Sequence, residues 1–315
     1  GGSGQQYGGA GTVFLQQSSG DPRGTLLVDN NTNIGQYAVL PKGQEYNFAN
    51  VILSRGGNLQ ASAVSTNPFT FDVLTVKSDS TLLLVPYNNG NADYTDDLPF
   101  KLNATTVTVD SGGKIISDGQ GYVGTGGDGA GVGGGKGGYW VGAGGGYGGL
   151  GGNAYDGHSG GVAYGSVIEP SALGSAGGAG VNGSTYYAGG NGGGAIRFVI
   201  SGTLTVNGTL SVNGSNGTTG RTGGGSGGSI WVTTNVLAGS GVIQSNGGIG
   251  SGDYPGGGGA GGRIALYYDT NTLPFDATHL QTYGGSGYQY GGPGTIFSRK
   301  MSEDANGVLR IFNQP

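Results

Sequence analysis

The sequence predicts an all-β protein, specifically a right-handed parallel β-helix (a β-solenoid) with long glycine-rich loops. Short segments rich in Val, Ile, Thr and aromatic residues alternate with Gly, Asn and Ser, as is typical of strands joined by turns. No segment carries the 3.6-residue apolar stripe of a helix. Similar strand segments also recur at a nearly constant interval, which is the signature of stacked coils.

The composition indicates a folded chain that is neither collagen nor a disordered tail. Glycine accounts for 78 of the 315 residues, but proline for only 10, and glycine does not occupy every third position throughout. Charged residues make up 10% of the chain, fewer than disordered segments usually carry. Apolar runs such as 71–76 and 196–200 can build a core.

Charge and composition also exclude several classes of function. The net charge is −5 and the basic residues are scattered, which argues against binding to nucleic acid. No apolar run approaches the roughly 20 residues that span a bilayer, so we expect no membrane span. Without cysteine there are no disulfides or thiolate sites. No signal peptide is visible and the first residue is not Met, as expected of a mature or excised fragment.

The start of the chain returns at its end. Residues 1–14 and 284–297 are identical at 11 of 14 positions, at an offset of 283 residues, and weaker matches continue to residue 313. Such a return predicts one period of a tandem array followed by the beginning of the next period. We therefore expect residues 284–315 to form a continuing coil and to be the seam between consecutive units.

A shorter repeat lies within the long one. Ile196, Ile230, Ile264 and Ile296 follow glycine clusters at intervals of 34, 34 and 32 residues. Stacked coils would place these four side chains in one aliphatic ladder. A second strand in each coil ends near an Asn-Gly pair or a similar corner, where we expect positive φ angles.

The N-terminal part follows the same pattern less regularly. Its candidate strands are 12–16, 25–28, 37–40, 50–53, 69–76, 81–85, 100–102, 105–109 and 114–116. We divide the chain into an irregular β-rich part (1–110), a glycine-rich insertion (111–190), regular coils (191–283) and the start of the next repeat (284–315).

Within the insertion, residues 111–165 are nearly half glycine. A local three-residue period at 145–152 favours polyglycine-II packing, in which extended glycine segments pack side by side. The alternative is a flexible loop. Five large apolar side chains favour ordered packing, because a plain linker would carry Ser and charges instead: Tyr139, Trp140, Tyr147, Leu150 and Tyr155.

Catalytic signals are sparse, and we expect no enzyme activity and no obligatory cofactor. His158 and His279 lie outside any catalytic motif, so structural or exposed roles are expected for both. Asp93, Asp96 and Asp97 form the one dense acidic group. It is a candidate calcium site of carboxylates and loop carbonyls, and the alternative is a solvated acidic turn.

Six Asn-x-Ser/Thr sequons are candidate glycosylation sites, with plain Asn turns as the alternative. Three of them cluster at predicted corners, where a glycan would be accessible. Their asparagines are Asn30, Asn103, Asn182, Asn207, Asn213 and Asn216.

Two blocks carry a resemblance to known proteins. The recurring Gly-Gly-Ala/Pro-Gly-Thr-Val/Ile-Phe pattern (8–14 and 291–297) and the Gly-Gly-Arg-Ile-Ala-Leu-Tyr-Tyr block (261–268) resemble glycine-rich repeats of very large exported bacterial proteins. Those repeats belong to parallel β-helix adhesins and fibre proteins. The resemblance implies an extracellular, cell-surface location and a structural or adhesive role, and it carries over no functional residue.

The leading hypothesis is a repeat unit of a surface filament or giant adhesin that assembles by end-to-end β-stacking. Its main partner would be the next repeat or subunit of a homopolymeric array, with surface glycans as a further candidate. A carbohydrate-binding or polysaccharide-degrading β-helix is the second hypothesis. An ice-binding solenoid ranks lowest, because Thr203, Thr205 and Thr209 keep no single register over many coils.

Overall fold

The computed structural model is an all-β chain. It describes residues 8–16, 21–33, 35–42, 46–63, 67–90, 95–182, 185–218, 221–252, 255–303 and 306–313, and over these ranges it contains strands, turns and extended segments but no helix. The strands form two large sheets and one small hairpin. In the larger of these, the long sheet, the hydrogen-bonded order is β1-β2-β4-β6-β8-β12-β14-β16-β19-β20, and β17 pairs with β14 beside this path.

The long sheet comprises strands near each turn of the chain. They are β1 (Thr12–Leu15), β2 (Thr25–Asp29), β4 (Asn47–Ser54), β6 (Phe69–Val76), β8 (Phe100–Val109), β12 (Ala195–Val206), β14 (Ser229–Ala238), β16 (Arg263–Tyr268), β17 (Thr270–Asn271), β19 (Thr295–Lys300) and β20 (Val308–Arg310).

The second sheet, the short sheet, runs β18-β15-β13-β9-β7-β5-β3. Its strands are β3 (Ala38–Val39), β5 (Asn58–Ser62), β7 (Thr81–Val85), β9 (Lys114–Ile116), β13 (Thr209–Ser211), β15 (Val242–Gln244) and β18 (Leu280–Gln281). The separate hairpin consists of β10 (Gly180–Asn182) and β11 (Thr185–Tyr187).

From β2 to β16 the chain alternates between the two sheets, and neighbouring strands within each sheet are parallel. Strand residues alternate between buried and partly exposed, as in β7, so one face of each strand points inward. The buried side chains of both sheets form a single apolar core.

The predicted isoleucine ladder is confirmed. Ile196, Ile230, Ile264 and Ile296 are direct partners in successive parallel pairs, and all four are fully buried. A parallel ladder holds its register here because a slip of one residue would turn every inward side chain outward. The short sheet has its own row of directly paired residues, namely Leu59, Leu82, Ile115, Leu210, Ile243 and Leu280.

Most strand predictions in the N-terminal part are confirmed, and two structural differences stand out. The candidates 100–102 and 105–109 form one continuous strand, β8, and β5 was not predicted. The sequence of β5, Asn-Leu-Gln-Ala-Ser, is mostly polar, yet four of its five residues are buried. Its strand character therefore comes from pairing on both sides rather than from an apolar pattern.

Glycine segments that leave the short sheet and return to the long sheet pack against one another. This glycine layer comprises residues 117–179, 189–194, 212–228 (except 219–220), 245–262 (except 253–254) and 282–294. Its backbone bonds run in several directions: Gly144 donates to Gly152 and accepts from Gly161, while Gly152 donates to Gly258. Residues 111–165 are thus packed, in agreement with the prediction of order.

The glycine layer is held together mainly by backbone, which corrects the part expected of its large side chains. Tyr147 is fully buried, but Tyr139, Trp140, Leu150 and Tyr155 are exposed. A Cβ atom on Gly144 would lie 1.9 Å from the carbonyl oxygen of Gly258, closer than any side chain permits. Glycine is required in this layer because adjacent backbones touch.

The expected positive φ angles at the Asn-Gly corners are wrong. Gly214 and Gly247 do not adopt positive φ, and each lies where a Cβ would collide with a neighbouring carbonyl oxygen. The asparagines form a ladder between coils instead. The Oδ1 atom of Asn213 accepts the backbone N–H of Asn246 at 2.7 Å, and that of Asn246 accepts from Tyr283 at 2.8 Å.

One buried polar cluster joins the glycine layer to the long sheet. The Tyr147 hydroxyl lies 2.6 Å from Ser229 Oγ, and Arg263 donates to the Tyr164 carbonyl at 2.8 Å and to Thr295 Oγ1 at 3.0 Å. Burial raises the pKa of Tyr147 to about 12. Burial also lowers the pKa of Arg263, whose partners are all neutral oxygens.

Candidate functional site: the two ends of the long sheet

Each end of the long sheet carries a hairpin built from one copy of the terminal repeat. At one end β1 pairs antiparallel with β2, and at the other β19 pairs antiparallel with β20. Phe14 lies opposite Leu26, and Phe297, its counterpart 283 residues later, lies opposite Leu309, the counterpart of Leu26. The sequence repeat is therefore also a repeat of strand register.

The second hairpin departs from the continuing coil expected of residues 284–315. Strand β19 extends the parallel ladder as expected, but β20 turns back beside it in the long sheet rather than crossing to the short sheet. The glycine before β20 allows this close return. A Cβ on Gly307 would lie 2.1 Å from the Phe297 ring, and one on its counterpart Gly24 would lie 2.7 Å from the Phe14 ring.

The two hairpins join the long sheet through opposite strands. In the first copy the second strand, β2, pairs with the interior strand β4, and β1 forms the outer edge. In the last copy the first strand, β19, pairs with the interior strand β16, and β20 forms the outer edge. Each copy thus leaves open the edge that the other copy uses.

Exposure follows the same division. Val13 is 50% exposed on β1, whereas its counterpart Ile296 is 0% exposed on β19. Leu309 is 53% exposed and Ile311 57% exposed, whereas the counterpart of Leu309, Leu26, is 4% exposed. The apolar side chains exposed at one end are therefore buried at the other end, which marks both edges as incomplete interfaces.

Aromatic contacts show the same asymmetry. The ring of Phe14 lies 6.1 Å from Phe48, on the β4 side of the first hairpin. The ring of Phe297 lies 5.8 Å from Tyr267, on the β16 side of the last hairpin. The same repeat position thus contacts an aromatic ring on one side in each copy.

Ion pairs strengthen the first hairpin's attachment. Arg23 pairs with Asp72 of β6, and Arg55 donates to Asp29 at 2.7 Å. The hydrogen bond from Arg55 lowers the pKa of Asp29 to about 2. Asp29 has no acidic counterpart in the last hairpin, where Phe312 occupies its repeat position.

The predicted calcium site falls only partly within the described residues. Asp93 lies outside them, while Asp96 and Asp97 accept hydrogen bonds from the side chain and the backbone of Asn89, at 2.7 and 3.2 Å. Among the described ranges, no cluster of three or more acidic or histidine side chains could hold a metal ion. The calcium assignment stays a prediction.

The sequon asparagines lie in different surroundings. Asn30 is buried and donates to the Asn33 carbonyl, Asn103 is half-buried on β8, and the side chain of Asn182 lies outside the described residues. The clustered asparagines accept backbone N–H groups of the next coil, Asn207 from Ser240 at 3.2 Å and Asn216 from Ile249 at 2.8 Å. Asn213 belongs to the ladder described above, and glycosylation stays a prediction.

Both histidines contact an aspartate, a pairing that the sequence motifs did not predict. His158 Nδ1 lies 2.7 Å from Asp156, and His279 Nδ1 lies 2.8 Å from Asp276. The backbone N–H groups of Thr278 and His279 also bond the Asp276 carboxylate, as in an Asx turn. These contacts account for both side chains as local turn partners.

Exposed aromatic rings form a second surface feature, on the glycine layer. Tyr139 and Trp140 are adjacent, with ring centroids 6.5 Å apart, and Arg221 lies 5.8 Å from the Trp140 ring. Tyr155 and Tyr288 meet edge to face at 5.3 Å. Rings of this kind can stack on sugars or on a partner protein.

Comparisons with known proteins give no relative. No family model, curated protein or solved structure matches the chain. No helix capable of crossing a membrane occurs in the part of the chain that the structure describes.

Proposed function

We propose that this protein is an extracellular structural protein, the repeat unit of a cell-surface fibre or giant adhesin. In this proposal the two parallel sheets form a right-handed β-solenoid, the glycine layer packs in the polyglycine-II manner, and consecutive units stack end to end. The complementary ends carry the proposal, because the apolar edge residues exposed in one copy of the repeat are buried in the other.

A mechanical role fits the direction of the hydrogen bonds. The parallel ladders from β2 to β19 run through the long sheet, so pulling along the stacking direction loads many backbone bonds together. The core beneath them is continuous and apolar. Open sheet edges readily pair with other strands, so they need a partner or a cap.

The test is electron microscopy of the source cells with an antibody raised against the purified chain and labelled with gold. We expect label along fibres outside the cell, at a regular axial interval. Label confined to the cell interior, or on discrete particles without fibres, would contradict the proposal. Cells that lack the gene provide the control for antibody specificity.

The exposed aromatic surface favours a second candidate, a carbohydrate-binding module. Tyr139 is 70% exposed and Trp140 59% exposed, on a rigid glycine backbone that would keep the rings in place. A glycan array with the wild-type chain and the Trp140→Ala variant tests it. Binding that the variant loses would support this function, and an empty array would remove it. A reducing-sugar assay distinguishes binding from cleavage.

A further inference from the structure

We propose that one hairpin serves two units. Residues 284–315 of one unit would be the first hairpin of the following unit, paired with β16 of its own unit through β19 and with β4 of the following unit through β20. This inference rests on the proposed array and specifies its joint, including the register of the strands and the length of each unit.

The pairings within one chain define both sides of this joint. On the first side, β19 pairs with β16 so that Tyr268 lies beside Lys300. On the second side, Leu27 of the first hairpin lies beside Ile52 of β4. The counterpart of Leu27 is Arg310, so Arg310 would lie beside Ile52 of the following unit.

Burial is complete only when the hairpin has both neighbours. Against β16 the first strand buries Ile296, whose counterpart Val13 is half exposed. Against β4 the second strand buries Leu26 and Val28, whose counterparts Leu309 and Ile311 are more than half exposed. A shared hairpin covers both sets, and it does so with contacts that the molecule already uses.

The aromatic contacts also become continuous. Phe297 lies against Tyr267, and Phe14 lies against Phe48. In a shared hairpin a single phenylalanine would touch the counterparts of both Tyr267 and Phe48. No new side-chain geometry is required, because each contact exists at one end of the chain.

Sharing fixes the axial length of a unit. The long sheet would gain eight strands per unit, β1, β2, β4, β6, β8, β12, β14 and β16, before the next β1. At about 4.8 Å per strand this gives an advance of about 38 Å. If two complete hairpins abutted instead, each chain would add ten strands, or about 48 Å.

The experiment uses a two-unit chain, in which the 315-residue chain is followed by a second copy of residues 33–315. The chain contains no cysteine, so introduced pairs report cleanly. The first pair, Tyr268→Cys with Lys300→Cys in the first copy, probes the β16 side. The second pair, Arg310→Cys in the first copy with Ile52→Cys in the second, probes the β4 side. Directly paired strand residues lie within disulfide range.

Two controls accompany these pairs. In the single chain, Leu27→Cys with Ile52→Cys should form a disulfide, which establishes that the β4 side accepts one without loss of folding. In the two-unit chain, Arg310→Cys with Asn50→Cys of the second copy is out of register by two residues. Their Cα atoms would be about 8 Å apart, beyond disulfide range.

Sharing predicts that both disulfides form in the same molecule, found by peptide mapping, and that the out-of-register pair stays reduced. It also predicts that the two-unit particle is longer than the single chain by about 38 Å in electron micrographs. Formation of only one disulfide, or equal formation of the out-of-register pair, would overturn the shared joint.

The outcome separates the joint from the proposed function. Labelled fibres on cells, together with a missing disulfide, would leave the structural function standing with a different joint. Both disulfides, together with no extracellular fibre, would establish the joint and reject the function.

Discussion

At the scale of single residues, glycine acts in this protein mainly by what it lacks. In the glycine layer a Cβ atom would collide with neighbouring backbone at position after position, as at Gly144, Gly214 and Gly247. The sequence indicates that glycine-rich segments are ordered, but not which backbones meet. Without side chains these segments carry no periodicity from which partners could be derived.

A pair of alanine substitutions tests this packing. In Gly144→Ala the new Cβ would overlap the Gly258 carbonyl, so we expect a loss of about 3 kcal/mol in the free energy of unfolding. The matched control is Gly126→Ala in the same insertion, where nothing lies within 4 Å of the added atom. It should change stability by less than about 0.5 kcal/mol. Denaturant unfolding measures both, and equal effects would contradict backbone packing.

Tyr147 provides a pH-dependent test of the buried cluster. Its folded pKa of about 12 lies above the ordinary value of 10, so its contribution to stability is full below pH 10 and is lost as the pH rises from 10 to 12. A shift of two units corresponds to about 2–3 kcal/mol. The Tyr147→Phe variant should lose correspondingly less stability over this interval.

The control for this titration is Tyr139→Phe, at an exposed ring. It should follow the wild-type curve of unfolding free energy between pH 10 and 12. At neutral pH the Tyr147→Phe variant should be weaker by about 1 kcal/mol, because the hydrogen bond to Ser229 is gone. Parallel curves for Tyr147→Phe and wild type would show that the hydroxyl is not buried in solution.

At the scale of elements, the sequence predicts strands wherever alternation or spacing repeats. The isoleucines at constant intervals predict the parallel register of β12, β14, β16 and β19 correctly, because a ladder needs the same residue in every coil. Strand β5 escapes prediction, since its neighbours rather than its composition make it a strand. The fold-back of β20 escapes for a related reason: a lone short strand does not reveal which sheet it joins.

The terminal hairpins give the element-scale prediction, in which one repeat position is tested twice. Leu26→Ala removes a buried side chain and should cost about 2–4 kcal/mol in the single chain. Leu309→Ala, at the same repeat position, removes an exposed side chain and should cost less than about 0.5 kcal/mol. In the two-unit chain, alanine at the central copy of this position should become as costly as Leu26→Ala.

Calorimetry or denaturant unfolding of the four variants measures these costs. Equal costs of Leu26→Ala and Leu309→Ala in the single chain would contradict the difference in burial. A central substitution that stays neutral would indicate that the hairpin does not dock on the following unit.

At the scale of the whole molecule, the sequence alone predicts an array but not how its units meet. The 283-residue offset identifies equivalent residues, and the structure adds that the two equivalent hairpins use opposite edges. The proposed function and the shared joint both depend on that complementarity. No single side chain carries the function in this account; the long sheet as a whole does.

The central claim is that the long sheet continues from unit to unit, and the axial period of the native fibre tests it most directly. In diffraction or electron micrographs of isolated fibres, the account predicts a spacing of about 4.8 Å along the fibre and a longer period of about 38 Å. A period of about 48 Å would mean abutting hairpins, and fibres without a 4.8 Å axial spacing would contradict the continuous sheet.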